Sequence, residues 1–240
     1  MKKGVLCLFV GLSVTSIAEA QLQTGGVITG LNSQSSMVYP FPGRRTEEKK
    51  QPDIQGSPFT TEDWTLGEVH FRNGKMAKEV ALLFNVYNNL VYFKQNDGLY
   101  EFVDPVKEFS IREKEENKET TATYRSGYPV IGKNKTETFY QVLVDGQFQL
   151  LDYRSKAIKK VRQTYSEPEI KTFEDKSLLF AYLPMGRIIK LSRPEADLTA
   201  NMPEEAETIT RIIEDKKLKL SKREDLIILF NELNAHYPKK

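Results

Sequence analysis

The feature that most constrains the fold is a long stretch, from Gly67 to about Ser192, in which apolar and polar residues alternate. Successive side chains of a β-strand point to opposite faces, so a period of two indicates strands with one buried face. Turn residues separate these runs. Asp145-Gly146, between Thr138–Val144 and Gln147–Arg154, suits a tight hairpin. The pattern predicts about eight to ten antiparallel strands in a meander, with a curved or partly closed sheet.

The period then changes to about 3.6 residues, which is typical of helices. Pro203 suits the first turn of one helix. Ser221 and Glu224 have the capping-box spacing that begins another helix. Each helix then carries one apolar stripe: Ile209, Ile212 and Ile213 in the first, and Leu226, Leu229, Phe230 and Leu233 in the second. Strands followed by helices predict an α+β fold, a predominantly antiparallel sheet with two C-terminal amphipathic helices packed on it.

An aromatic-rich stretch from Phe84 to Phe102 predicts a strand register. A two-residue turn at Asn88-Asn89 places Phe84 opposite Phe93 and Val86 opposite Val91. A second turn at Asp97-Gly98 places Phe93 opposite Phe102, and Lys94 opposite Glu101. We therefore expect Phe84, Phe93 and Phe102 to form a structural core row, because large apolar side chains are mostly buried. A ligand-binding aromatic platform is the alternative.

The N-terminus has the three-part layout of a secretory signal peptide. Lys2 and Lys3 precede a short apolar stretch, Gly4–Leu12, and Ala18-Glu19-Ala20 has the form of a cleavage site. The single cysteine, Cys7, lies within this leader, so thiol chemistry is not expected afterwards. No later stretch approaches the ~20 apolar residues of a transmembrane helix. The sequence predicts an exported protein located in the periplasm, at the cell surface or outside the cell.

Composition divides the chain into a signal peptide (1–20), a flexible linker (21–58), a sheet region (59–192) and a helical region (193–240). The linker is rich in Gly, Ser, Gln and Pro and shows no sustained period, so it buries too little apolar surface to offset its ordering entropy. Its apolar part, Val38–Pro42, leaves open a peptide that binds in the groove of a partner.

Most catalytic signatures are absent from the sequence. The two histidines, His70 and His236, lack zinc-binding spacing, and neither a nucleophile elbow nor a phosphate-binding loop occurs. The sequence therefore predicts no catalytic, metal-binding or cofactor-binding residue and no cofactor. Many acids, among them Asp63, Glu68, Glu101 and Asp104, leave open a pair of hydrolytic carboxylates. Whether the protein is an enzyme is uncertain, and the sequence favours a protein that is not.

One basic stretch, Arg154–Arg162, has no acid and is a candidate patch for an anionic partner, with five basic residues: Arg154, Lys156, Lys159, Lys160 and Arg162. The alternative is a solvated strand, since lysines on an edge strand deter edge-to-edge pairing. Over the whole chain 35 basic residues nearly balance 33 acidic ones, which argues against a nucleic-acid partner.

Two further positions carry expectations. Trp64, the single tryptophan, precedes the first strand of the alternating region and is expected to close one end of the core. Asn134-Lys135-Thr136 fits the pattern of an N-glycosylation acceptor, which matters only in a eukaryotic secretory pathway.

The hairpin stretch Phe139–Leu151, together with Phe84–Phe93 and the closing helices, resembles a group of uncharacterised secreted proteins of Bacteroidota. The resemblance covers roughly residues 57 to 237 and lies in hairpin and packing residues. That group has no assigned activity, so the resemblance implies an envelope location and a single domain, and it transfers no catalytic residue.

The sequence thus favours a non-enzymatic envelope module that binds a ligand or a lipid. One alternative is an adaptor that contacts another envelope protein through residues 21–58 or the basic stretch 154–162. A second alternative is a carboxylate-dependent hydrolase. A lipid, a glycan and an envelope protein are the partners that these expectations allow.

Overall fold

The computed structural model describes residues 41–47, 53–115, 118–162 and 169–237. Most of the chain forms one large, mainly antiparallel sheet, and three helices follow at the C-terminus, so the architecture is broadly α+β. The strands are β1 (Gly43–Thr46), β2 (Ile54–Gln55), β3 (Thr65–Phe71), β4 (Met76–Asn85), β5 (Leu90–Gln95), β6 (Gly98–Phe102), β7 (Val106–Glu115), β8 (Lys118–Arg125), β9 (Tyr140–Val144), β10 (Gln149–Val161), β11 (Ile170–Leu183) and β12 (Arg187–Lys190). The helices are α1 (Pro194–Asn201), α2 (Ala206–Lys216) and α3 (Arg223–His236).

The strand order is β1-β6-β5-β4-β3-β7-β8-β9-β10-β11-β12, with the short β2 added in parallel to β11. The predicted meander is therefore interrupted once, because β7 pairs with β3 and not with β6. The sheet has 12 strands, more than the predicted eight to ten. Within the described residues, the terminal strands β1 and β12 do not pair, so the sheet is not closed.

The link between β6 and β7 requires a strongly curled sheet. In a flat sheet, β6 and β7 would lie four strand spacings apart, about 19 Å. The connection consists only of Val103, Asp104 and Pro105, which spans at most about 14 Å. The sheet therefore curls inward and brings the ring of Phe102 to 5.5 Å from the ring of Phe71 on β3.

The inner face of the curl forms the first core. Its centre includes Phe84, Phe93 and Phe109, which are at most 1% exposed. Phe41, at the edge of the described chain, packs on Phe93 with a ring separation of 5.0 Å. The predicted core row is therefore buried, with Phe102 partly buried at its end.

The register within this row differs from the predicted one by two residues at each hairpin. Phe84 pairs with Val91, and Phe93 pairs with Leu82 and Tyr100. Lys94 lies opposite Leu99, so the predicted pair with Glu101 does not form. Instead Glu101 pairs with Arg44 of β1 through backbone register and a side-chain ion pair. Because the shift is even, every side chain keeps its predicted face.

A second core lies between the β9–β11 part of the sheet and the helices. The stripe Leu226, Leu229, Phe230 and Leu233 of α3 is at most 1% exposed, as predicted. Three details of the helical region differ from the prediction. Helix α2 begins at Ala206, so Pro203 lies before this helix and not in its first turn. A third helix, α1, precedes the other two, and α3 begins after Lys222 without a side-chain cap, so the predicted capping box is not formed. No described helix is long and apolar enough to cross a membrane.

The structure describes part of the predicted linker. Of residues 21–58, the structure describes 41–47 and 53–58, and these add β1 to β6 and β2 to β11. The described parts therefore belong to the sheet. Val38–Tyr39–Pro40 and the signal-peptide residues lie outside the described residues.

The candidate glycosylation site is a structural residue. Asn134 is 4% exposed, and its side-chain Nδ2 donates to the hydroxyl oxygen of Tyr140 at 2.9 Å. A glycan on this nitrogen would have to displace the hydrogen bond and open the surrounding packing. The folded chain therefore does not present Asn134 as a glycan acceptor.

Candidate ligand-binding cleft at Trp64

A cleft of about 470 Å³ opens where β3 begins. The register that pairs Gly67 with Ile111 brings the start of β3 alongside Arg112 and Glu113 of β7. Residues 60–66 form one wall, and Arg112, Glu113 and Glu119 form the other. The volume lies within the range of about 300–1,000 Å³ that is common for small-molecule sites.

Trp64 supplies the aromatic surface of the cleft. It lines the cleft and also packs against a small buried cluster on the outer face of the sheet, which includes Phe59, Leu83 and Tyr92. The expectation that Trp64 closes one end of the main core is therefore replaced by a different role. The ring is half-buried, held from behind by apolar packing and presented to the cleft.

Four charged side chains in the walls are without an ion pair or hydrogen bond to any described residue. They comprise three carboxylates, those of Glu62, Asp63 and Glu119, and the guanidinium of Arg112. Each of these four residues is exposed. Exposed carboxylates accept hydrogen bonds and an exposed guanidinium donates them, so the cleft offers a ligand both donors and acceptors.

Two threonine hydroxyls in the walls are buried. The Oγ1 atoms of Thr60 and Thr65 are inaccessible to solvent and find no hydrogen-bond partner among the described residues. By contrast, the hydroxyl of Thr61 in the same segment donates to the carbonyl of Asp63 at 3.0 Å. A buried polar group without a partner destabilises a fold, so these two positions carry an energetic penalty at the cleft.

Glu113 connects the cleft to a buried network behind it. One carboxylate oxygen of Glu113 accepts from the Tyr124 hydroxyl at 2.8 Å, and the other accepts from Arg154 Nη1 at 2.7 Å. Arg154 Nη1 also donates to the Tyr124 hydroxyl oxygen at 3.1 Å. Burial and the neighbouring Glu113 carboxylate raise the pKa of Tyr124 well above its usual value. This network fixes the back wall of the cleft.

A second buried polar group lies between the sheet and α3. Asp152 is 1% exposed, and its carboxylate accepts from the Ser177 hydroxyl at 2.6 Å. Arg223, at the start of α3, reaches Asp152 at 3.6 Å and donates to the Gln141 side chain at 3.1 Å. These contacts join α3 to β9 and to β10, the strand that also carries Arg154.

The basic stretch 154–162 forms part of β10 and lies opposite acidic residues of β11. Arg154 and Lys156 are partly buried. The Lys156 ammonium donates to the Ser57 carbonyl at 2.8 Å and lies 3.5 Å from Asp175. Two more of its cations have acidic neighbours: Lys159 lies 3.3 Å from Glu174 and Lys160 3.2 Å from Glu169, whereas Arg162 is exposed. The structure therefore does not bring the five cations together on one free surface.

The four acids that the sequence offered for a hydrolytic pair do not meet in one site. Only Asp63 lines the cleft. Glu68 contacts His70 at 2.7 Å, Glu101 pairs with Arg44, and Asp104 accepts from Asn73 at 3.1 Å. Among the described residues, no group of three histidine, cysteine or acidic side chains is arranged to hold a metal ion.

Comparisons of the chain with protein-family models, with curated proteins and with solved structures give no match. The likeness to secreted proteins of Bacteroidota therefore stays an expectation of the sequence. The geometry of the cleft indicates what the site can bind.

The sequence singles out Trp64 and Asp63 separately, and it does not show that Arg112 and Glu119 lie beside them. The local signal was present, since Thr60–Leu66 sets one tryptophan among threonines and acids. The opposite wall comes from residues more than forty positions later, and only the β3–β7 pairing shows that it faces this segment.

Proposed function

We propose that this protein is a non-enzymatic module that binds a small ligand in the Trp64 cleft. The observation that carries the proposal is the combination of an aromatic wall with four charged side chains that have no described protein partner. Small-molecule sites commonly pair an apolar or aromatic surface with a few polar groups that fix orientation. The leader-like N-terminus supports a location outside the cytoplasm for this activity.

The surroundings of the acidic side chains in the cleft favour ligand binding over catalysis. Glu113, its most buried acid, is engaged by both Tyr124 and Arg154, so this carboxylate is held as a fixed acceptor. The remaining carboxylates are exposed on a loop and on β8. A hydrolase would need two carboxyl groups about 5–9.5 Å apart across a substrate, with different roles. The three remaining carboxylates of the cleft are all exposed, so burial does not distinguish one of them from the others.

Trp64 makes the proposal directly testable, because the chain has one tryptophan and its fluorescence reports on the cleft alone. We would titrate the purified protein with a mixture of small polar compounds and follow Trp64 emission together with thermal unfolding. We expect a saturable change in emission. We also expect a rise in the unfolding temperature, since a ligand at about 100 times its Kd stabilises by about 2.7 kcal/mol.

A variant that obstructs the cleft separates this site from any other. Asp63→Arg places a longer side chain of opposite charge at the rim, and Asp215→Arg makes the same change on the exposed surface of α2. The proposal expects binding to be lost in the first variant and kept in the second. Binding that survives Asp63→Arg, or the absence of any saturable response, would refute it.

A further inference from the structure

We infer that the ligand of the Trp64 cleft is a neutral saccharide unit, an inference that rests on the proposed function. The feature that points to this class is the mixture of charges in the walls. Carboxylates of Glu62, Asp63 and Glu119 accept hydrogen bonds, and the guanidinium of Arg112 donates them. A sugar hydroxyl does both, so a ring that carries several hydroxyls satisfies both kinds of group.

A charged ligand fits the same walls less well. An anion such as a phosphate or a uronic acid would face three exposed carboxylates and one guanidinium. A small cation would be drawn to the carboxylates and repelled by Arg112, and physiological salt screens the attraction and the repulsion of either kind of ion. Glu113 does not add to the attraction, because Arg154 at 2.7 Å offsets its charge. The hydrogen-bonding capacity of the exposed groups remains when salt screens their charge.

Trp64 provides the second element of saccharide recognition. One face of a pyranose ring carries C–H groups, and this apolar face packs against a flat aromatic ring while the hydroxyls at the ring edge reach outward. The Trp64 ring is held by Phe59, Leu83 and Tyr92 behind it, so it is an ordered surface. Aromatic side chains with a fixed position give contact area at low entropic cost.

The two buried threonine hydroxyls are consistent with this inference. Both residues line the cleft, and rotation about χ1 moves each hydroxyl to another staggered position. Neither hydroxyl gives up a bond to a described residue when it rotates. Each could therefore add a hydrogen bond to a sugar without the loss of one within the protein.

The test uses the full chain and Trp64 emission with four kinds of probe: methyl hexopyranosides and N-acetylhexosaminides with their disaccharides, glucuronic acid, putrescine, and glycine betaine. We expect saturable binding for at least one neutral saccharide and a change in Kd of less than about threefold between about 50 and 500 mM salt, since no net ligand charge is screened. A deoxy analogue that lacks one contacted hydroxyl should bind at least about tenfold more weakly.

Matched variants assign the binding to the walls. Glu119→Gln and Arg112→Gln should each raise the Kd about tenfold or more, because hydrogen bonds to charged groups are stronger than those to amides. Glu214→Gln and Arg211→Gln, on the exposed surface of α2, should leave the Kd unchanged. Far-ultraviolet circular dichroism confirms that each variant is folded.

The possible failures are distinguishable. Saturable binding of putrescine, glycine betaine or glucuronic acid without binding of any neutral saccharide would overturn the saccharide inference and leave the proposed function standing. Saccharide binding that Asp63→Arg does not affect would overturn both. If none of these probes binds but another small polar compound does, with loss in Asp63→Arg, only the inference fails.

Discussion

The side chain of Asn234 on α3 pairs with both backbone groups of Phe148 in the β9–β10 connection. Phe148 N–H donates to Asn234 Oδ1 at 2.9 Å, and Asn234 Nδ2 donates to the Phe148 carbonyl at 2.8 Å. The carboxamide thus takes the place of a neighbouring strand for one residue. Gly146 makes room for it, because a Cβ atom there would lie 2.5 Å from Asn234 Oδ1.

This pairing predicts that Asn234→Ala weakens the attachment of α3 to the sheet. Two backbone groups lose their partner, so the free energy of unfolding should fall by about 2–3 kcal/mol. Urea unfolding measures the change. Asn231→Ala, on the exposed surface of the same helix, is the control and should change it by less than about 0.5 kcal/mol. If Asn234→Ala lowers stability no more than Asn231→Ala does, the pairing with Phe148 does not stabilise the attachment of α3.

Phe93→Ala tests the core row that the sequence predicted. Phe93 is fully buried between Phe41, Tyr100 and Phe102, with ring separations of 5.0 to 5.6 Å to the first two and 4.5 Å to the third. Its loss should destabilise the protein by about 3–5 kcal/mol. Leu90→Ala, at a position 40% exposed at the start of the same strand, should cost much less. A cost below about 1 kcal/mol for Phe93→Ala would contradict its place in the core.

Local sequence predicted the faces of the strands better than their register. The hairpin between β4 and β5 uses the four residues Val86–Asn89 and not the predicted two. Its shape depends on distant partners: Val86 N–H donates to the Pro58 carbonyl at 3.1 Å, and Asn89 Oδ1 accepts from Phe139 N–H at 2.9 Å. Neither Pro58 nor Phe139 lies within Phe84–Phe102, so the sequence of that stretch alone does not specify the length of the turn.

The next hairpin shows a competition between two equally good turns. The turn residues are Asn96 and Asp97, with Asn96 at φ 51°, and Gly98 begins β6. Asparagine, aspartate and glycine all tolerate turn geometry, so Asn-Asp and Asp-Gly were both available. In the turn that forms, glycine suits the first position of β6, because a Cβ atom at Gly98 would lie 2.8 Å from the ring of Tyr100.

The cleft could be predicted only in part for the same reason. Trp64 and Asp63 are conspicuous in the sequence, but their environment depends on a β7 that returns beside β3 after a three-residue link. Alternation within β7 gives its two faces and does not give its neighbour. The apolar stripe of α3 depends only on local periodicity, and it was predicted in full.

Thr65→Val tests whether the cleft carries an energetic penalty. The Thr65 hydroxyl is buried without a described partner, so its replacement by a methyl group of similar size should raise the free energy of unfolding by about 1 kcal/mol. Thr121→Val, at an exposed position of β8, controls for the strand propensity of valine. If Thr65→Val destabilises the protein while Thr121→Val does not, the hydroxyl has a stabilising partner and the penalty is absent.

Buried tyrosines predict a loss of stability at alkaline pH. Burial is the main reason that the pKa values of Tyr124 and Tyr128 are raised above 10, the value expected in the unfolded chain. Above about pH 10 the unfolded state releases these protons while the folded state keeps them. The free energy of unfolding should therefore fall by about 1.4 kcal/mol per pH unit for each tyrosine.

Urea unfolding between about pH 8 and pH 11 measures this fall. Tyr124→Phe should lower stability at pH 8, because Glu113 and Arg154 lose a hydrogen-bond partner. It should also reduce the slope above pH 10 by about one proton per molecule. An unchanged slope would mean that Tyr124 ionises equally in both states.

The partly buried ion pair between Arg154 and Glu113 gives the last prediction. Arg154 is also the first cation of the basic stretch. Arg154→Met leaves the Glu113 carboxylate, 9% exposed, with no cation beside it. Breaking a fully buried pair from one side costs about 3–5 kcal/mol, because the remaining charge is uncompensated. Arg154 is 31% exposed, so water reaches this pair and the cost should lie at or below the lower end of that range. Urea unfolding should show this loss. Lys160→Met removes a cation that is 62% exposed and should change stability by less than about 1 kcal/mol.

The double variant Glu113→Gln/Arg154→Met separates the pair from the packing of its side chains. It removes both charges and leaves the Tyr124 hydroxyl an amide oxygen as acceptor, so it should recover more than half of the stability lost in Arg154→Met. Recovery would show that Arg154 acts mainly by compensating Glu113 behind the cleft. If the double variant is as unstable as Arg154→Met alone, the loss of stability comes from the packing of the arginine side chain and not from the uncompensated charge of Glu113.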